Sequence, residues 1–186
     1  MKVLLGSNSP RRRELLSGLN IPYTLVKIEC NEYFPSKLQG GDIPCYISKE
    51  KADMYRPKLQ EDEVLITADT IVWIGGRMLG KPKDKEEAKD MLRMLSGSTH
   101  QVYTAICLTT SSHQEVLLDK TDVTFCSLTD REIEDYVGTY LPLDKAGAYG
   151  VQEWIGYVAV ERIEGSFYNV MGLPTHLLYA ALKKYL

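Results

Sequence analysis

The chain has little of what would staple, metallate or anchor a small protein. Its four cysteines, Cys30, Cys45, Cys107 and Cys126, form no C-x-x-C pair and lie in or beside apolar runs. That spacing excludes a disulfide framework and a zinc ribbon, and it predicts buried, reduced thiols in a cytoplasmic protein. Three histidines, His100, His113 and His176, fall on no H-E-x-x-H or other zinc spacing, so each is read as a surface or turn residue. No apolar run reaches the roughly 18 residues that a membrane helix needs, and V-L-L ahead of an arginine cluster makes no signal peptide. Neither G-x-x-x-x-G-K-[ST] nor G-x-G-x-x-G occurs. A formal net charge of only -3 leaves no global field for nucleic acid or a membrane surface, so any basic cluster is a local device suited to a small anion. Repeats, linkers and low-complexity tracts are missing too, and residues 1–186 are read as one continuous domain.

What is present begins at Ser7, with S-N-S-P-R-R-R-E-L-L-S-G-L. Ser9 is a good N-cap and Pro10 a good first residue, so a helix starts here. Its N-terminus already carries unpaired amide donors and about half a positive charge, so Arg11, Arg12 and Arg13 in the first turn are unfavourable unless an anion sits among them. The stripe Leu15, Leu16 and Leu19 places Arg12 near the middle of the inward face. K-V-L-L before it reads as a strand, and strand, Ser/Asn turn and helix N-terminus together form a common phosphate-holding arrangement.

The second informative stretch is V-L-I-T-A-D-T-I-V-W-I, Val64 to Ile74, apolar on both faces and therefore a central strand. Asp69 in its middle has to be neutralised, paired with a cation, held in a hydrogen-bond network or opened to a cleft. Gly75-Gly76 predicts a hairpin that returns R-M-L-G-K-P antiparallel, which sets Lys81 opposite Thr70 in regular register. Around these stretches, I-P-Y-T-L-V-K-I-E-C predicts a strand, a polar loop follows with Glu32 in it, and a helix runs from Asp42 to near Pro57. Its K-E-K run reads as a solvated face, from which periodicity alone does not single out Lys51. Capping boxes at Asp84/Glu87 and Thr129/Glu132 start two further helices, the second reaching about Tyr136. W-I-G-Y-V-A-V-E-R-I and S-F-Y-N-V read as paired strands, and a helix closes the chain. L-P-L-D-K-A-G-A-Y-G-V-Q-E reads as a loop too polar for a core, and loops of that length on rigid scaffolds often carry function.

Taken together, S-N-S-P-R-R-R-E-L-L, A-D-T-I-V with G-K-P, and D-K-A-G-A-Y-G-V-Q resemble the Maf family of nucleoside triphosphate pyrophosphatases nearly end to end. The resemblance implies an α/β fold of Maf/ITPase type, a mixed twisted sheet flanked by helices, with two lobes, an active-site cleft between them and a homodimeric assembly. It implies hydrolysis of a nucleoside triphosphate between its α and β phosphates, assisted by Mg²⁺ or Mn²⁺. Carried over by position, it makes Asp69 the proton acceptor and a metal ligand, Glu32 a metal or catalytic carboxylate, and Ser9, Arg12, Lys51 and Lys81 phosphate-binding residues. Arg11, Thr70 and Gln152 match the branch similar to dTTP/UTP pyrophosphatases, and an amide at Gln152 suits the donor and acceptor edge of uracil or thymine. Gly6 departs from the alanine more usual there. The alternatives are a house-cleaning pyrophosphatase for another modified nucleotide and a septum-related regulator that binds nucleotide without turnover.

Overall fold

Val3, Leu4 and Leu5 are apolar on both faces, and a strand of that kind has to be flanked by strands and covered on both sides. In the computed structural model, which describes residues 1–186, β1 (Lys2–Leu5) runs parallel to both β2 (Tyr23–Leu25) and β3 (Glu63–Ile74). Register pairs Val3 with Tyr23 on one side and with Val64 on the other. The strand expected over I-P-Y-T-L-V-K-I-E-C is cut to three residues because its partner runs out: β1 ends at Leu5, whose carbonyl accepts the Val26 N–H at 3.0 Å. The hairpin at Gly75-Gly76 forms, with Val72 opposite Leu79 in β4 (Arg77–Leu79). That is the predicted register, but the ladder stops at Leu79, so Lys81 lies beyond the paired residues.

With β5 (Thr99–Thr109), β6 (Gln114–Phe125) and β7 (Val160–Glu164) the seven-stranded sheet has the order β2-β1-β3-β5-β6-β7, and β4 pairs with β3. It is mixed, since β6 and β7 are antiparallel and β1 is parallel to its neighbours. The chain divides into two compact units, one of Met1–Thr70, Thr104–Asp119 and Gly172–Leu186, the other of Ile71–Tyr103 and Lys120–Met171.

The first unit carries α1 (Pro10–Gly18), α2 (Asp42–Tyr55) and α7 (Thr175–Leu182). Leu4, Ala52, Leu65 and Cys107 form a buried cluster, against which Val26, Ile28, Tyr55 and Leu59 pack. Cys107 is buried as expected, whereas Cys30, Cys45 and Cys126 are only partly so, and all four are free thiols.

In the second unit α3 (Lys85–Leu95) packs on α4 (Asp130–Tyr140). The Thr129/Glu132 capping box closes, but the Asp84 one does not: Glu87 accepts from the Lys83 N–H at 2.7 Å, not from its cap residue. α4 also outruns its expected end and stops at Leu141, which adopts φ 48°. Two segments read as strands are helical at their start or throughout. Trp154–Ala159 is α5, begun by N–H bonds from Glu153 to Gly150 O and from Gly156 to Glu153 O, and only Val160–Glu164 is extended. Phe167–Met171 is α6, where Ser166 Oγ accepts the Asn169 N–H at 3.3 Å and the buried Asn169 amide donates to Val102 O and Thr121 Oγ1. His100, expected at the surface, is fully buried against Phe125 and Tyr149, with Nε2 2.7 Å from the Tyr149 hydroxyl. Burial pushes its pKa down to about 4. No helix is long and apolar enough to cross a membrane.

Candidate functional site

A carboxylate in the middle of a two-faced apolar strand is costly unless something answers it, and β3 answers Asp69 with a lysine. Asp69 is 7% exposed, and its Oδ1 accepts from Lys51 Nζ at 2.9 Å. Lys51 stands on α2, where the stripe Ile43, Ile47 and Ala52 is buried, so its stem is drawn inward while Lys49 and Glu50 stay exposed. The solvated-face reading of the K-E-K run is therefore wrong for its last member: the Lys51 side chain is 12% exposed. Lys51 Nζ also lies 2.8 Å from Glu32 Oε1, which the irregular stretch between β2 and α2 brings over. Burial raises the Asp69 carboxyl above the ordinary carboxylate range, against the opposing pull of Lys51 and Arg12.

Arg12 reaches the same strand from α1. Ser9 caps α1 by accepting the Arg12 N–H, and the guanidinium turns inward as the helix phase requires. Its Nη1 donates to Ala68 O at 3.1 Å, Nη2 to Thr70 Oγ1 at 3.0 Å and Nε to Gly172 O at 2.8 Å. Burial lowers the pKa of the guanidinium and Asp69 opposes that effect, but an arginine stays charged throughout. Three of its five N–H donors are thus used within the protein. Arg11 precedes it in the first turn, and its charge repels that of Arg12. Arg12 with Thr70, and Lys51 with Asp69 and Glu32, are joined in the first unit through the Ala68 carbonyl, which both cations reach, and Ser9 is tied to them through the Arg12 backbone.

Lys81 and Gln152 belong to the second unit. Lys81 is exposed just past the end of β4. Gln152 is partly buried, and its Oε1 is buried without a protein partner, an acceptor left open for a donor from elsewhere. The loop around it is not the solvent-facing segment its polarity suggested. Lys145 is 8% exposed, held by Asp144 at 2.9 Å and Glu153 at 3.1 Å, and Ala148, Tyr149 and Val151 are buried.

Sequence reasoning passed over three groups that complete the first cluster. The carbonyls of Ala68 and Gly172 bind Arg12, and Thr104 Oγ1 lies 2.9 Å from Thr70 Oγ1. Gly172 left a usable signal, a glycine just before Leu-Pro, and it adopts φ +114°. Backbone carbonyls and a threonine on an apolar strand leave none.

No three His, Cys, Asp or Glu side chains gather tightly enough to hold a metal ion by themselves. Asp69 and Glu32, however, converge on one ammonium, and two hard carboxylates are the donor set that Mg²⁺ or Mn²⁺ takes when substrate oxygens supply the remaining ligands. These residues fit such an ion.

The same chain pattern recurs in named proteins. A dTTP/UTP pyrophosphatase of Bacteroides thetaiotaomicron is 55% identical over 98% of this chain and 95% of its own length. One of Phocaeicola vulgatus with the same name is 53% identical over 98% and 95%. The Ham1 protein of Staphylococcus aureus, at 15% identity, matches in fold alone, with a TM-score of 0.50 over 97% of this chain and 100% of that one. The model of the family described as Maf-like protein spans residues 2–185. Since the arginine-opened helix, the strand around Asp69 and the loop before Gln152 all lie inside that span, the chain belongs to the Maf-like protein family.

Proposed function

We propose that the protein hydrolyses dTTP and UTP to the monophosphate and pyrophosphate, with water attacking the α-phosphate. The observation that carries this reading is the buried Asp69 carboxylate held against Lys51, in a chain more than half identical to relatives named for that activity. Asp69 takes the proton of the attacking water, and a raised pKa brings it nearer to the strength a general base needs at neutral pH. Arg12, Lys51, Lys81 and Ser9 bind the phosphates. Arg11, Thr70 and Gln152 select the base, the open Gln152 acceptor facing the imide N–H of uracil or thymine.

The charges of Asp69 and Glu32 balance those of Arg12 and Lys51, so a triphosphate brings several negative charges that this set does not offset. Lys81 and a divalent ion, Mg²⁺ or Mn²⁺ held by Asp69 and Glu32, supply the difference. When bound, the ion polarises the phosphoryl oxygens. With Lys51 released from the carboxylates to the phosphates, its ammonium stabilises charge that builds on the leaving pyrophosphate. The family resemblance adds a cytoplasmic homodimer acting as a single-domain enzyme. Neither a nucleic acid nor a membrane is a partner in this reading.

The test is pyrophosphate release from dTTP, UTP, CTP, 7-methyl-GTP and ITP with Mg²⁺ or Mn²⁺. Preference for dTTP and UTP is expected, and preference for a purine would defeat the Gln152 assignment. Asp69→Asn is expected to fold and to lose turnover by about a thousandfold. Retained turnover would remove Asp69 from the chemistry.

A further inference from the structure

Arg12 holds the two residues that flank Asp69 in sequence. It takes the Ala68 carbonyl at 3.1 Å and the Thr70 hydroxyl at 3.0 Å, and it is itself anchored on the Gly172 carbonyl at 2.8 Å. A guanidinium is planar and rigid, so these three acceptors are fixed relative to one another, and the backbone that carries Asp69 is fixed with them. The one flexible link is Thr70, whose hydroxyl can leave the guanidinium by rotating about χ1. Thr104 stands against that rotation: its Oγ1 lies 2.9 Å from Thr70 Oγ1, and the residue is fully buried on β5.

We propose that Thr104 is a positioning residue for Asp69, acting through Thr70 and the Arg12 guanidinium. The catalytic part of this rests on the reading of Asp69 as proton acceptor. A residue without exposed surface makes no contact with nucleotide, so it acts only through the residues it positions, and of these the Asp69 carboxylate is the one whose placement sets the rate. Sub-ångström misplacement of a general base costs rate far more than it costs binding. Thr104→Val keeps the side-chain shape and removes the hydroxyl, and Thr104→Ser keeps the hydroxyl.

The experiment measures kcat and KM for dTTP in the wild type, Thr104→Val and Thr104→Ser. Alongside it, hydrogen exchange at the amides of residues 68 to 70 is followed without nucleotide. Thr104→Val is expected to lower kcat about tenfold, with KM changed by less than about twofold, and to speed exchange several-fold, while Thr104→Ser restores both. Unchanged kcat, a rise in KM with kcat intact, or failure of serine to restore the rate would overturn the proposal. If the wild type released no pyrophosphate from dTTP or UTP, the functional reading would fall by itself, and unchanged exchange in Thr104→Val would then sink the brace separately. Should Thr104→Val not fold, Thr104→Ala carries the same comparison.

Discussion

Lys51 in the first unit and Lys145 in the second are placed almost alike. Their side chains are 12% and 10% exposed, and each ammonium reaches two carboxylates, Glu32 and Asp69 for the one, Asp144 and Glu153 for the other. The surroundings of the carboxylates differ. Glu153 also accepts from the Tyr136 hydroxyl, which accepts the Gly150 N–H, so the second set ties α4 to the loop through residues 144–153. Gly150 leaves no space there, since a Cβ would fall 2.9 Å from Glu153 Cδ. In the first set Glu32 comes from irregular chain and its side chain is 42% exposed, while burial works against the charge on Asp69. A buried lysine whose partners are bonded onward is a strut. One whose partner carboxylate is itself disfavoured by burial can be drawn away by a stronger anion.

The sharpest way to break that comparison is to remove each ammonium in turn. Lys145→Met is expected to destabilise the fold by about 4 kcal/mol, because it strands Glu153 among packed neighbours, and to leave kcat within a few-fold in the protein that remains folded. Lys51→Met is expected to cost less stability than that, since the raised Asp69 carboxyl takes up a proton, yet to lower kcat on the order of a hundredfold. Denaturant midpoints and pyrophosphate release on the same preparations decide it. A stable, inactive Lys145→Met would exchange the two roles.

Much of the first cluster was legible along the chain, and the reason is local. An N-cap, a proline and a leucine stripe set the phase that turns Arg12 inward, and an aspartate between β-branched residues announces a buried charge whatever lies beside it. The hairpin register followed from Gly75-Gly76 alone. Lys51 needed tertiary structure, because helical spacing made its neighbours look equally eligible. The second unit was less legible because its contacts are tertiary: His100 meets Tyr149 49 residues away, and Lys145 pairs with Glu153, which the Tyr136 hydroxyl bonds in turn. The short helices α5 and α6 misled because aromatic and β-branched residues in runs of six or fewer alternate as strands do. What makes them helical is contact with other segments, the Asn169 amide on Val102 and Thr121 in particular.

If the second unit is the structural one, its buried titratable group should appear in stability. His100 is held neutral, with its pKa pushed down to about 4 from 6.5. Between those values the unfolded chain binds a proton that the folded chain refuses, so this contribution is lost as pH falls from 6.5 to about 4 and is constant below that. The loss is at most about 3 kcal/mol. His100→Leu is expected to be less stable at neutral pH, because the Tyr149 hydroxyl loses its partner, but to show a flatter slope between the two values in denaturant titrations. Equal slopes would mean that the ring is protonated in place.

The smallest effect concerns packing beside the first cluster, at Gly6, where β1 passes into the turn before α1. A Cβ there would lie 2.4 Å from Ile28 Cδ1 and 3.2 Å from Thr67 Cγ2. The first contact is with the free end of a side chain, so it is relieved by an Ile28 rotamer change costing about 1 kcal/mol. Against this, replacing glycine stiffens the unfolded chain and stabilises by about 0.4 to 1 kcal/mol. Gly6→Ala alone is therefore expected within about 0.5 kcal/mol of the wild type, the two terms nearly cancelling. Ile28→Val removes the offending methyl, so Gly6→Ala in that background keeps only the favourable term, and the double-mutant cycle is expected to give a coupling of about 1 kcal/mol. Turnover should follow neither change, because no hydrogen bond of Asp69, Lys51 or Arg12 runs through Ile28. A fall in kcat along with the coupling would place the first cluster under the same packing control as the second, and the distinction between strut and displaceable cation would then fail where it is drawn most sharply.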